Sequence, residues 1–533
     1  MFDNYKRTSL LMKSCLAMLM LTVAPLLVAA GPTNSPSEKP AARSEWVYPG
    51  PSGRLEYRQT TNGTRIMDFS SAGYGGGGVA FPKPRIFRTI EPSGGDDTAA
   101  ISDALTALAA QPLDQQGLRG AVKLAPGVFS VQKTLRIAAS GMVLIGSGTT
   151  GATRTVLSAA GDPRLILNIE GKGKLIPVGS RKRITSAWLP AGSMAIPLED
   201  TQGLTPGDNI LVENFRGASW VKDMGMDALE REGKPLSWLK PSYQVWKRRV
   251  SAINGSTVTL DAALPDFISQ EYAEGNTNFV TKYEFPGSIT QCGLAHLVVK
   301  ARFIPGDITT KTFRGMTIAD AEDCFVDDVQ FFDCGGGTAI IWGGARRITL
   351  RNIEFSRSAE QAGGAGGSAD LTIRGSQVLV LGGKSYTHCF IVVTQPLTYG
   401  PNVVCQFTGV GTGSIQPHTR WATGLLVDDC TLAGGVEFIN RGIMGWGHGW
   451  AIGNALIWNT AAEHYWFEKP PLSEVWCIGS TGTQASFTNE LKFSVAAPGI
   501  YDCHGTNVVP RSLYLAQLKD RLGEQAVKNA LEP

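Results

Sequence analysis

The feature that most constrains this chain is a series of short apolar runs that stop on glycine, asparagine or aspartate and recur at a nearly fixed interval. Residues 324–334 read CFVDDVQFFDC and residues 346–355 read RRITLRNIEF, and the apolar centres Val329, Ile353 and Val378 follow one another at almost equal spacing. Earlier runs, VKLAPGVFSV at 122–131 and TLRIAASGMVLIGSG at 134–148, have the same make-up. Runs of this length, bounded by turn formers, read as strands. A degenerate repeat of this period with small residues at its corners is what coiled parallel strands produce, each coil turning its apolar side chains inward and stacking on the next. An all-β solenoid is therefore expected, and 63 glycines and 29 prolines suit its many turns.

A solenoid leaves unpaired strand edges at both ends, which need covering. Two helical patterns are placed to do so. The first follows GGDD at 94–97, with a cap at Asp97 or Thr98 and Ile101, Leu105 and Leu108 on one face; the second is SLYLAQLKDRLGEQAVKNAL at 512–531. Residues 171–290 depart from the coil pattern. LTPGDNILVEN and STVTLDAAL read as hairpin strands, and the segment between them holds Trp220, Trp238, Tyr243 and Trp246 amid Lys240, Lys247, Arg248 and Arg249. Such an insertion either hangs over the binding face or forms a small subdomain packed around its own tryptophans.

At the N-terminus, Lys6 and Arg7 precede an apolar run from Leu16 to Val28 and then Ala29-Ala30, the order of a secretory signal cleaved near Ala30. Residues 31–45, rich in Pro, Ser and charge, read as a disordered leader. The expected organisation is thus a signal peptide at 1–30, a leader at 31–45, a β-helix domain at 46–511 with an insertion at 171–290, and a helical tail at 512–533. Export to the periplasm or the medium follows, with no membrane span and a monomeric state. The eight cysteines beyond Cys15 end or interrupt apolar runs at irregular spacings, which favours buried thiols over a disulfide framework. A formal charge of +3 is too small to argue for nucleic acid. GGGG at 75–78 and GGAGG at 363–367 lack the context of a phosphate loop.

The stretches DFSSAGYGGGG, GGDDTAAISDAL, AVKLAPGVFSV and GMVLIGSG, taken in order, resemble the N-terminal portion of secreted pectate-lyase-like proteins, the pectin lyase fold, and the coil pattern continues to about residue 480. The resemblance implies a right-handed parallel β-helix with an N-terminal capping helix. It leaves the reaction open, because that superfamily is similar to polysaccharide lyases, glycoside hydrolases, epimerases and phage tailspikes alike.

Chemistry concentrates in two neighbouring stretches, QPHTRWATG at 416–424 and RGIMGWGHGW at 441–450. Three of the six histidines fall between 418 and 464. If the coils here are regular, with a period of about 23 residues, then His418, Arg441 and His464 form a column along one edge. Elimination across a uronate needs a cation for the carboxylate, a base for the C5 proton and an acid for the departing oxygen at C4. Arg420 or Arg441 suits the first role, since guanidinium stays charged and binds carboxylate with two prongs. His418 or His448 suits the second. Tyr465 or the other histidine suits the third. Trp421, Trp446, Trp450 and Trp246 offer faces for sugar rings, with His464 and Tyr465 beside them.

The expected function is a polysaccharide lyase acting on an acidic polysaccharide. The alternatives are a glycoside hydrolase with Glu437 among its acids, drawn from Asp428, Asp429, Glu437, Glu463 and Glu468, and a carbohydrate-binding solenoid without catalysis. No cofactor is required. Calcium is the metal such a site would use, and Asp320, Glu322, Asp323, Asp327 and Asp328 are the acidic clump available to hold it, although they carry no loop motif for the ion.

Overall fold

The computed structural model describes residues 41–302, 312–358, 369–487 and 496–532. The signal peptide, the leader up to residue 40 and GGAGG at 363–367 lie outside the described residues. The chain is a right-handed parallel β-helix. Its first sheet runs from Gly120–Leu124 and Met142–Ile145 through Gly293–Lys300, Ala321–Phe332, Arg346–Ser356, Ser376–Ser385, Tyr399–Cys405, Ala422–Asp428 and Ala455–Trp458 to Val475–Ile478 and Ile500–Asp502. A second sheet is formed by Gly127–Val131, Thr155–Ala159 and the C-terminal halves of the longer strands. The third runs Leu165–Glu170, Arg314–Ala319, Ala339–Ile341, Ala369–Ile373, Phe390–Thr394, Ser414–Ile415, Val436–Phe438 and the Tyr465 end of Ala461–Phe467.

Strand alternation sorts the apolar side chains. In Ser376–Ser385, Val378 and Val380 enter the core of the coil, while Leu379 and Leu381 face outward into a separate apolar cluster. Corners take residues that tolerate positive φ. Asp328 (φ 50°), Asn352 (φ 51°) and Asp429 (φ 52°) each turn a coil, so the paired aspartates at 327–328 and 428–429 are corner features.

Helix α1 (Thr98–Ala109) covers the N-terminal end, burying Ile101, Ala104, Leu105 and Leu108 in the coil core. Its first turn is fastened by neighbours: Asp96 accepts the Thr98 amide, while Asp97 accepts Ser93 and Ser130 amides and so ties the helix to the first coil. A short helix α2 (Ala218–Asp223) belongs to the insertion. The C-terminal segment differs from the expected end cap. Helices α3 (Leu513–Leu522) and α4 (Glu524–Leu531) lie along the outward face of the first sheet, where Leu513, Tyr514 and Leu518 pack with Leu379, Leu381, Val403 and Leu426. The sheet presents apolar residues on both faces, so its outer face needs that cover as much as an end does. The buried Asp428 carboxylate anchors α3 by accepting the Leu513 and Tyr514 amides and the Ser512 hydroxyl. Residues 41–45 are also ordered: Ala42–Arg43 pairs in parallel with Val508–Val509, and Ser44 is buried.

The insertion leaves the third sheet after Glu170 and returns at Ile289. It folds around a six-stranded sheet in which Ile176–Arg183, Phe279–Glu284, Asn209–Arg216, Ser242–Asn254, Thr257–Leu260 and Ala195–Pro197 are adjacent in that order. Because it emerges from the turn that joins the third sheet to the first, it spreads along that edge of the solenoid.

Four of the five acids in the clump, all but Asp320, are engaged by the protein's own basic side chains. Glu322 pairs with Arg346 and Arg249, Asp323 with Arg347, Asp327 with Arg351 and Asp328 with His296. No group of three or more metal-ligating side chains occurs among the described residues. No disulfide forms among the described residues; of the eight cysteines beyond Cys15 six are buried, and Cys389 and Cys503 are partly exposed.

Candidate functional site

The turns that follow the third sheet carry the chemistry. In successive coils they begin at Trp342, Arg374, Gln395, Gln416 and Ile439, each just past a strand of that sheet. The turn at 416–421 is held by His418 N–H donating to Thr394 O (3.0 Å) and Arg420 N–H donating to His448 O (2.9 Å). The next turn is longer. It folds back on itself through an isolated bridge between Asn440 and Trp450, which brings His448 over the preceding coil. Gly445 (φ 56°) permits this, because a β-carbon there would overlap Nε2 of His448.

His418 and His448 meet edge to face with 4.8 Å between ring centroids. Burial first and Arg441 second push the His418 pKa down to about 4. Burial, with His418, Arg441, Arg420 and Arg231 adding to it, pushes His448 down to about 3. Both imidazoles are neutral at neutral pH. Arg441 donates to the Gln416 side chain and its Nε has no partner among the described residues, and burial disfavours its charge while Glu437 partly restores it. Arg420 spans the two turns by donating from Nη2 to Trp446 O at 2.8 Å. The buried atoms His448 Nδ1 and Arg420 Nε have no hydrogen-bond partner among the described residues. The result is a partly exposed cluster of two uncharged bases and two guanidinium groups, with Glu437 the acid that acts on Arg441.

Of the residues expected here, His418, Arg420, Arg441 and His448 come together. The column of His418, Arg441 and His464 does not form as spaced. Ile415 stacks on Val436 and Val436 on Tyr465, in coils of unequal length, so His464 falls within its strand, over Gly435, while His418 lies past the end of its own. His464 instead stands 3.6 Å from Glu437 and 3.8 Å from Glu463, and the Glu437 carboxylate holds its pKa up.

Four expected sugar contacts are interior. Trp421 is fully buried, its Nε1 donating to Asp266, and it meets Trp220 and Trp238 edge on in a cluster that docks the insertion onto the solenoid. Trp450 belongs to the same cluster and donates to Met224 O. Trp246 is in the insertion's own core. Tyr465 is buried and its hydroxyl donates to Thr460 O at 2.7 Å, so it has no proton for a substrate. The packed-subdomain reading of the insertion thus accounts for its tryptophans. Trp446 alone of these indoles is open, at 76% exposure.

Two contributors were not expected. Gln416, in the same QPH stretch, fixes Arg441. The insertion supplies Arg231 on a hairpin, Glu230–Arg231 against Lys234–Pro235, whose flanking Leu229 and Leu236 lie against Gly447. Only the charge of that segment hinted at it; its approach is long-range.

The molecule is thus a β-helix with a histidine–arginine cluster on one edge. No family model and no curated protein matches the chain. Solved structures to which it is similar include the tailspike of Acinetobacter baumannii bacteriophage AP22 in complex with A. baumannii capsular saccharide, with TM-score 0.41, 10% identity and coverage of 77% of this chain and 66% of that one. Others are an alginate lyase from Paenibacillus (TM-score 0.36, 11% identity, 79% and 99% covered) and an exopolygalacturonase from Thermotoga maritima (TM-score 0.29, 9% identity, 76% and 77% covered).

Proposed function

We propose that this protein is an exported, monomeric polysaccharide lyase that eliminates across a uronic acid unit at the cluster around His418. The observation that carries this reading is the pairing of two neutral imidazoles, 4.8 Å apart, beside the Arg441 guanidinium. Arg441 binds the uronate carboxylate and spreads the charge that develops on it as C5 loses its proton. One imidazole of the pair takes that proton through its free nitrogen lone pair. As the double bond forms between C4 and C5, the bond from C4 to the glycosidic oxygen breaks, and the imidazolium returns the proton to the departing oxygen. Arg420 holds the two turns together and adds positive potential, and Trp446 offers its open face to a neighbouring sugar. No metal enters this scheme.

A second reading, glycoside hydrolysis, is favoured by Glu437, whose Oε2 is buried beside His464 with no hydrogen-bond partner among the described residues. One assay separates the two. The protein is incubated with acidic and neutral polysaccharides while the absorbance of unsaturated uronate and the appearance of new reducing ends are both followed. Elimination gives both signals on acidic polymers. Reducing ends without absorbance would support hydrolysis, and neither signal would leave a binding solenoid.

A further inference from the structure

Two coils before His418, on the same edge, a cavity of about 350 Å³ opens between the insertion and the solenoid, lined by Val245, Lys247, Arg374 and Leu397 among others. Its place in the stack follows from register. Ile373 pairs with Thr394, and the His418 amide donates to Thr394 O, so Arg374, Gln395 and His418 occupy equivalent positions in three successive turns. With ~4.8 Å between neighbouring strands, Arg374 lies roughly 10 Å along the edge from His418.

Of the cavity's three cations, Arg248 is spent on the Ala263 and Gly400 carbonyls, and Lys247 and Arg374 are uncommitted. Neither Lys247 nor Arg374 forms an ion pair or a side-chain hydrogen bond within the described residues. Burial, and Arg346 after it, push the Lys247 pKa down to about 8 against the pull of Asp320 and Glu322, and Glu322 is already taken by Arg346 and Arg249, so Lys247 is a cation at neutral pH that has no acid of its own. Lys247 Nζ rests 4.4 Å from the Phe285 ring centroid, and Arg374 lies over Trp342 at 5.0 Å, so both charges are supported by aromatic faces. The rim is apolar: Val245 and Leu397 are 39% and 38% exposed. Two cations backed by aromatic rings above an apolar rim suit a group with a carboxylate on a hydrophobic ring face, which is what a uronate presents.

We infer that the Lys247–Arg374 cavity is a distal subsite, which binds the carboxylate of a non-reacting uronate when the polymer lies along the edge that carries His418. This rests on the proposed reading that the substrate is an acidic polysaccharide. It gives the insertion a role in setting the length of chain the protein prefers, since Lys247 comes from the insertion and Arg374 from the solenoid.

The test is calorimetric titration of the full chain carrying His418→Ala, which slows turnover during the titration, with uronate oligosaccharides of increasing length and their carboxyl-reduced counterparts. The affinity is expected to step up by about tenfold at the length that first spans from position 418 to the cavity. The step should vanish when Lys247→Gln and Arg374→Gln are added, and with the reduced oligosaccharides. An undiminished step in either case, or no binding at any length, would overturn the subsite. Near-ultraviolet circular dichroism verifies that the variants are folded. Elimination by the unsubstituted protein is measured separately: a step without elimination leaves the subsite standing and removes the reaction, whereas elimination without a step does the reverse.

Discussion

The ring of His448 meets the ring of His418 edge on, 4.8 Å between centroids, although the two belong to turns of successive coils. Each imidazole therefore loses water on one side to the other and sits within the field of Arg441. A base built this way is uncharged over a wide range, and its strength rises when a substrate carboxylate offsets the guanidinium.

The first prediction concerns pH and activity. Because His418 titrates at about 4 and His448 at about 3, kcat/KM on an acidic polysaccharide should hold steady on acidification past 6.5 and fall only near pH 4. The limb in kcat should lie higher than that in kcat/KM, since the bound carboxylate favours the imidazolium. Arg441→Gln should shift the His418 limb upward, part of the way to 6.5, because burial remains. A pH–rate profile limited near 6.5 in the unsubstituted protein would contradict the geometry.

Stability should respond to the same shifts. Both folded-state values lie below the unfolded 6.5, so the unfolded chain binds protons that the native state refuses. Their contribution is fully present above pH 6.5 and is lost as the pH falls through about 4 and 3. Thermal midpoints measured from about pH 7 to 4 should drop less steeply in His418→Gln and His448→Gln than in the parent.

Removal of the chemical groups should separate from unfolding. His418→Ala and His448→Ala should each lower kcat by ~10²–10⁴, and Arg441→Gln by ~10²–10³, with midpoints at neutral pH close to the parent's. Unchanged turnover in both histidine variants would remove the site.

The tryptophans should divide by burial. Trp446→Ala should raise KM for long substrates with little change in midpoint, since that indole is open. Trp421→Ala and Trp450→Ala should cost ~3–5 kcal/mol of stability by emptying the cluster beneath the insertion. Denaturant titration of the three variants checks the division.

Asp266 is the polar pin of that cluster. It pairs with the buried Arg216 at 3.0 Å and accepts Trp421 Nε1 and Asn454 Nδ2. Asp266→Ala should cost ~3–5 kcal/mol, because it strands a buried guanidinium. Hydrogen exchange should quicken in the insertion before it does in the coils.

The coil fold was legible because its signal is local. Val329 stacks on Ile353 as their spacing implies, since both strands are flanked by tight corners. The next coil is longer, and Val378 stacks on Ile348 in place of Ile353, because the number of residues between two strands shifts the count without changing either strand. The same physics undid the column of His418, Arg441 and His464. The two stretches that hold His418, Arg420, Arg441 and His448 were nevertheless found, since residues in adjoining turns of adjoining coils meet whatever the exact count. The roles of Trp421, Trp450, Trp246 and Tyr465 were not legible, because an indole or a phenol in a turn reads alike whether a distant insertion covers it or not.

The amino-acid sequence alone determined that the chain winds into stacked parallel strands and that imidazole and guanidinium groups gather on one edge, because strand alternation and turn chemistry act over a few residues. Tertiary structure alone decided which of those groups are open and in what charge state. Burial and field are set by surfaces that arrive from far along the chain, here the insertion that seals Trp421 and brings Arg231 toward His448.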